Sequence, residues 1–258
     1  MKKVFLLLGL LSTPAWCDVS LVQITSSTVA SSTFTTLTFA NTVATGNTII
    51  VFKREGSVAI PTDTVTDTFG NSYSLLVATA ANLGGASTCD FIAYYSTNVT
   101  GGSSLRVNAA SNQGASTSQL IIAEVSGLIN PSFDVSVTTA SGTNSPTSIT
   151  AGPSATTAQA NEYIVLGGCT AGASVNYSTT AAYTLQNCTA GAACRTFYAD
   201  RVVGAIGAYS GQITQSSALN IAVSLITFKM TTRAPSASKW LTIQGGKMAI
   251  TGGKVNVY

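Results

Sequence analysis

The segment ALNIAVSLITF, residues 218–228, is the most apolar stretch beyond the N-terminus, and its reading decides the fold. A membrane-crossing helix needs about 20 apolar residues; this run is shorter and is broken by Asn220 and Ser224. Its β-branched and aromatic content fits a buried β-strand. Segments of the same kind recur: LVQITSSTV, FTTLTFA, NTIIVFKR, YSLLVAT, DFIAYYST, SLRVNAA, QLIIAEVS, FDVSVTTA, NEYIVLGG and VVGAIGAYSGQIT. Gly, Asn, Ser and Pro separate them, and no window of about 11 residues carries an apolar face at helical spacing.

A β-sheet with one apolar face buries it against a second sheet. The expected fold is therefore all-β: one two-sheet antiparallel sandwich, jelly-roll-like, spanning residues 18–230. A linker, residues 231–239, follows with a Pro and small polar side chains. Residues 240–258 then repeat in miniature as GGKMAIT and GGKVNVY, which predicts a short β-hairpin or meander extension. Such small strands cannot bury a core alone. They would dock on the sandwich, on another copy of the chain, or on a larger surface structure.

The chain opens MKKVFLLLGLLSTPAWCD. Two lysines before a short apolar run read as a secretory signal peptide over residues 1–17, with Ala15 and Cys17 as the small residues before the cut. The alternative makes Cys17 a lipidated residue. Export places the protein outside the cell or on its surface, and the short leader points to a bacterial source. After cleavage Cys89, Cys169, Cys188 and Cys194 remain, an even number that suggests two disulfides. Sequence alone allows three pairings; the short TAGAA loop would let Cys188 and Cys194 close locally, leaving Cys89 with Cys169.

Charge is sparse. Removal of Lys2 and Lys3 leaves ten basic residues against nine acidic ones, too balanced for a nucleic-acid-binding face. Only the C-terminal part is biased: Lys229, Arg233, Lys239, Lys247 and Lys254 follow Asp200 with no later acid. An anionic polymer could meet them, although lysines also protect sheet edges.

Histidine is absent, which removes the Ser-His-Asp, Cys-His and His-metal chemistries. Paired carboxylates remain the economical route to glycoside hydrolysis, with Glu124 and Glu162 as the pair to test. Around TDTFGNSYSLL, residues 66–76, Asp67 and Asn71 together with the preceding Asp63 could offer oxygens to calcium. The simpler reading has Asp67 accepting hydrogen bonds from its own turn, with Gly70 or Asn71 left-handed. Tyr94, Tyr95 and Trp240 could contact a sugar ligand; as strand neighbours, the two tyrosines should face opposite ways. NVT, NYS and NCT at 98, 176 and 187 match glycosylation acceptors.

The segments TIIVF, VTDTFGNSYSLL, FIAYYSTNVTGG, IIAEVSGL, NEYIVLGG, DRVVGAIGAYSGQIT and SLITFK together resemble secreted bacterial β-sandwich surface domains, over approximately residues 45–229. The resemblance implies a jelly-roll or immunoglobulin-like adhesion module and no catalytic constellation. It covers Asp67, Gly70, Asn71, Tyr73 and Glu124, but not the cysteines. Residues and resemblance together lead to a non-enzymatic extracellular structural or adhesive protein. Its partners would be an extracellular polymer or its own copies, without a cofactor unless calcium binds. A carbohydrate-binding module is the second expectation and a carboxylate-dependent glycoside hydrolase the third.

Overall fold

The uninterrupted apolar runs and the alternating ones build different layers. In the computed structural model the described residues are 19–27, 34–56, 64–81, 89–110, 117–141, 144–187, 194–231, 248–251 and 254–257. The first eight strands are β1 (Ser20–Ser26), β2 (Phe34–Thr38), β3 (Thr48–Glu55), β4 (Thr64–Asp67), β5 (Ser74–Ala81), β6 (Cys89–Ser96), β7 (Arg106–Ala110) and β8 (Ser118–Ser126). They form a five-stranded sheet, β1-β8-β3-β6-β5, and a three-stranded sheet, β2-β7-β4. The next eight are β9 (Leu128–Ala140), β10 (Ser148–Ala151), β11 (Glu162–Thr170), β12 (Tyr177–Thr179), β13 (Thr184–Leu185), β14 (Thr196–Val203), β15 (Gly211–Gln215) and β16 (Ile221–Met230). Their sheets run β9-β16-β11-β14-β13 and β10-β15-β12.

Adding eight to each strand number converts the first pair of sheets into the second. In both copies the first strand pairs with the last, the second with the second-last and the third with the third-last, always antiparallel. The expected single two-sheet sandwich is thus corrected to two sandwich-like domains of two sheets each, and no sheet closes into a barrel.

The reason lies in what covers each face. The two five-stranded sheets pack on one another, with Phe52, Phe91 and Ile121 of the first meeting Tyr163, Tyr198 and Phe228 of the second. Their other faces pack on the three-stranded sheets, through Ile49, Val51 and Ile122 in the first copy and Ile164, Leu166 and Leu225 in the second. Strands covered on both sides read as continuous apolar runs, and β3, β8, β11 and β16 are buried along nearly their whole length. The outer strands β4 and β10 alternate exposed and buried residues instead, as one-sided sheets do.

The central layer is clamped twice. Cys89 of β6 and Cys169 of β11 form a disulfide, with Cα atoms 6.1 Å apart. The Phe52 ring lies 5.1 Å from Phe91 and 5.2 Å from Tyr198, and Gly167 leaves room for it: a Cβ there would overlap the ring. The copies join through one residue, Gly127, whose φ of 79° suits glycine. Ser20 pairs with Ser126, Leu128 with Met230, and Thr231 N donates to Gly127 O at 2.8 Å.

All sixteen strands belong to one compact unit, Cys17–Thr231. Beyond it, β17 (Met248–Thr251) and β18 (Lys254–Val257) pair antiparallel with each other, as the GGK repeat predicts. The leader residues 1–17, the linker residues 232–239 and Trp240 lie outside the described residues. Among the described residues no helix is long and apolar enough to cross a membrane.

Candidate functional site

The Asp67 corner is a braced turn. Asp67 Oδ1 accepts from the backbone N–H of Phe69 at 2.9 Å and of Asn71 at 3.1 Å. Oδ2 accepts from Asn71 Nδ2 and from the Tyr73 hydroxyl, each at 2.8 Å. Asn71 passes the brace on: its Oδ1 accepts from Thr100 N at 2.7 Å. Gly70 takes the left-handed conformation, φ 75°. Burial, reinforced by Asp67, pushes the Tyr73 hydroxyl far above its ordinary range, so it remains a donor. Each Asp67 oxygen thus accepts two hydrogen bonds. Asp63 lies outside the described residues, which contain no group of three or more His, Cys, Asp or Glu able to hold a metal ion.

Glu124 and Glu162 do not converge. Glu124 shares the β8 face of Leu120 and Ile122, inside the first sandwich. There its Oε1 accepts from Ala44 N at 2.8 Å and Asn47 Nδ2 at 2.6 Å, and its Oε2 from Gln23 Nε2 at 2.6 Å. Glu162 shares the β11 face of Ile164 and Leu166, inside the second sandwich. Both five-stranded sheets lie between the two carboxylates. Glu162 has its own setting: burial first, then Asp134, push its carboxyl up to about 8, while Lys229, its neighbour across the β11–β16 ladder, opposes them.

The two tyrosines occupy opposite faces, as alternation requires, but both faces are covered. Tyr94 belongs to the outer core of the first sandwich, 8% exposed. Tyr95 is half-buried in the central layer, 6.0 Å from Phe228 and 6.3 Å from Phe133. Of the cysteines, Cys194 is also disulfide-bonded, and Cys188 lies outside the described residues. Asn98 and Asn176 are exposed, whereas Asn187 is buried and accepts a hydrogen bond from Tyr198 N at 2.6 Å.

The structure adds a groove of about 530 Å³ along the seam between the edge strand β1 and the β13–β14 edge. Ser20, Tyr163, Thr184, Gln186, Asp200 and Arg201 contribute to its wall. Asp200 is 7% exposed; it accepts from Tyr163 OH at 2.5 Å and Gln186 Nε2 at 2.7 Å. Tyr163 uses its proton on Asp200, so Tyr198, 3.0 Å away, donates to Tyr163. Burial raises the Asp200 carboxyl, and the bonds from Gln186 and Tyr163 hold it back. The Arg201 guanidinium sits 4.6 Å from the Tyr183 ring centre and 5.1 Å from that of Tyr209, within cation–π range. Sequence reading misses this constellation because its members come from separate strands: the β11–β14 pairing brings Tyr163 to the Asp200 strand, and the β13–β14 pairing brings Thr184 and Gln186.

No protein family, curated protein or solved structure matches the chain. The resemblance to bacterial surface domains thus gains no support from these comparisons. An all-β chain of two sandwich-like domains stands.

Proposed function

We propose that this chain is a non-enzymatic extracellular structural or adhesive protein that associates with its own copies through its C-terminal strands. One observation carries the reading: carboxylates such as Asp67 and Glu124 hold turns and strand ends within a body clamped by a central apolar layer and a disulfide. Groups used in this way maintain a surface. The first-with-last strand pairing supports a jelly-roll-like ancestry for each sandwich, and the leader and cysteines support export. Among the described residues β17 and β18 pair only with each other, and strand addition to such a hairpin is a known route to association. Light scattering on the full mature chain and on a chain ending at Met230 tests this reading. Truncation should reduce the particle size; equal sizes would overturn self-association through the tail.

A second reading, a carbohydrate-binding module, is favoured by the seam groove. Ser20, Thr184, Gln186, Asp200 and Arg201 supply donors and acceptors suited to sugar hydroxyls. Titration with soluble polysaccharides should perturb NMR signals of these residues in the wild type and not in Asp200→Ala. Unperturbed wild-type signals would sink this alternative.

A further inference from the structure

Three ionisable side chains are enclosed in the first sandwich and belong to neither reading. Lys53 and Glu55 of β3 are 0% exposed and Asp90 of β6 is 1% exposed. They share one face of the sheet. Alternation puts Lys53 and Glu55 on the side of Ile49 and Val51, and Asp90 on the side of Ile92 and Tyr94, all members of the outer core. The β3–β6 ladder runs without a bulge from Ile49↔Ser96 to Glu55↔Asp90. Glu55 therefore stands directly across from Asp90. Lys53 is its diagonal neighbour, at a backbone separation of about 7–8 Å that a lysine side chain can span. Lys53 Nζ lies 2.6 Å from Glu55 Oε1.

Removal from water penalises each of these charges, and that of the buried Arg54 guanidinium, which also attracts Asp90 and Glu55. Condensing the ammonium with a carboxylate eliminates one buried charge pair and releases a water molecule. The burial that penalises the ion pair thus favours the amide.

We propose that Lys53 and Asp90 are joined by an isopeptide bond, formed by the folded chain itself with Glu55 as proton carrier. A proton passes from the Lys53 ammonium to the Asp90 carboxylate, leaving a neutral amine and a neutral acid. The Nζ lone pair attacks Asp90 Cγ. Glu55 takes a second proton from Nζ and delivers it to the departing hydroxyl. The Nζ–Cγ bond forms, a Cγ–Oδ bond breaks, and water leaves with two of the three ammonium hydrogens. No oxidant or cofactor is needed. The product covalently joins β3 to β6, and the disulfide joins β6 to β11, so a continuous covalent path would cross both five-stranded sheets.

The test is mass spectrometry of the exported full-length mature protein, denatured and with disulfides reduced. The expected intact mass is lower than that of the linear sequence by one water. Tryptic digestion should give no cleavage after Lys53 and a branched peptide linking Lys53 to Asp90. Glu55→Gln, shown to be folded by circular dichroism and a cooperative melt, should recover the full mass. A full-mass wild type with separate Lys53 and Asp90 peptides would mean an ordinary buried ion pair and overturn the proposal. A branch at another residue would overturn it equally. A bond that persists in Glu55→Gln would remove Glu55 from the chemistry. None of these outcomes depends on whether the C-terminal strands self-associate.

Discussion

Gly167→Ala tests the face-to-face packing of the two five-stranded sheets. The added Cβ would lie 2.7 Å from Phe52 Cζ and 2.8 Å from Cδ2, against about 3.5–4.0 Å for relaxed carbon contacts. Phe52 cannot swing aside, because the Phe91 and Tyr198 rings hold it at 5.1 and 5.2 Å. Overpacking of this kind costs about 1–3 kcal/mol. Replacing glycine within a strand returns about 0.5–1 kcal/mol, leaving a net loss of about 1–2 kcal/mol. For a body of this size, that lowers Tm by about 2–8 °C. Urea denaturation measures the loss, and a double-mutant cycle assigns its cause. Phe52→Leu vacates the space, so Gly167→Ala should be nearly neutral in that background, with a coupling of about 1 kcal/mol. Additivity within about 0.5 kcal/mol, or stabilisation by the single substitution, would refute the packing argument.

Other consequences can be measured on the same protein. Cys89 and Cys169 close a loop of 80 residues, so replacing both with Ala should cost about 4.5 kcal/mol by the chain-entropy relation; a loss under about 1 kcal/mol in urea denaturation would refute this clamp. Asp67→Ala removes the acceptor of four hydrogen bonds and should cost about 2–4 kcal/mol, whereas Tyr73→Phe should cost about 1 kcal/mol; equal losses would show that the corner is not centred on Asp67. The Glu162 carboxyl titrates near 8 when folded, against 4.5 as its ordinary value. Between those pH values the unfolded chain releases this proton while the folded chain retains it, so rising pH erodes wild-type stability. Glu162→Gln lacks that loss, and its Tm advantage over the wild type should grow from pH 5 to pH 8. A constant difference would refute the assignment.

The sequence makes the strands legible because their residues favour sheets and their boundaries carry turn formers. The Asp67 corner is also legible, since an Asp placed before Gly70 and Asn71 has its hydrogen-bond donors close along the chain. The repeated topology is hidden because it lies in pairing order more than in residues. NTIIVFKRE and NEYIVLGGCT begin alike, then part into Lys-Arg-Glu and Gly-Gly-Cys. Tyr73 and Tyr183 each stand immediately before the fifth strand of their copy, an echo too short to reveal a repeat. The tyrosine pair shows the other obstacle. Alternation assigns Tyr94 and Tyr95 to opposite faces, but only the four-layer stack reveals that both faces are covered. Asp200, Gln186 and Tyr163 carry no local signature, because long-range strand pairing creates their groove.

The contacts around Gly127 bring Ser20, the first residue of the first strand, and Thr231, just past the last, to the same corner of the sixteen-strand body. A pull applied through the two flanking segments would converge there, loading the β1–β8 and β9–β16 ladders while the other strands bear little tension. The same proximity makes the body a natural subject for circular permutation: a short linker could close the old ends and new ends could be opened in an exposed turn. It also lets the body be inserted into a loop of another protein, hanging from a single point as a pendant rather than serving as a link in a chain.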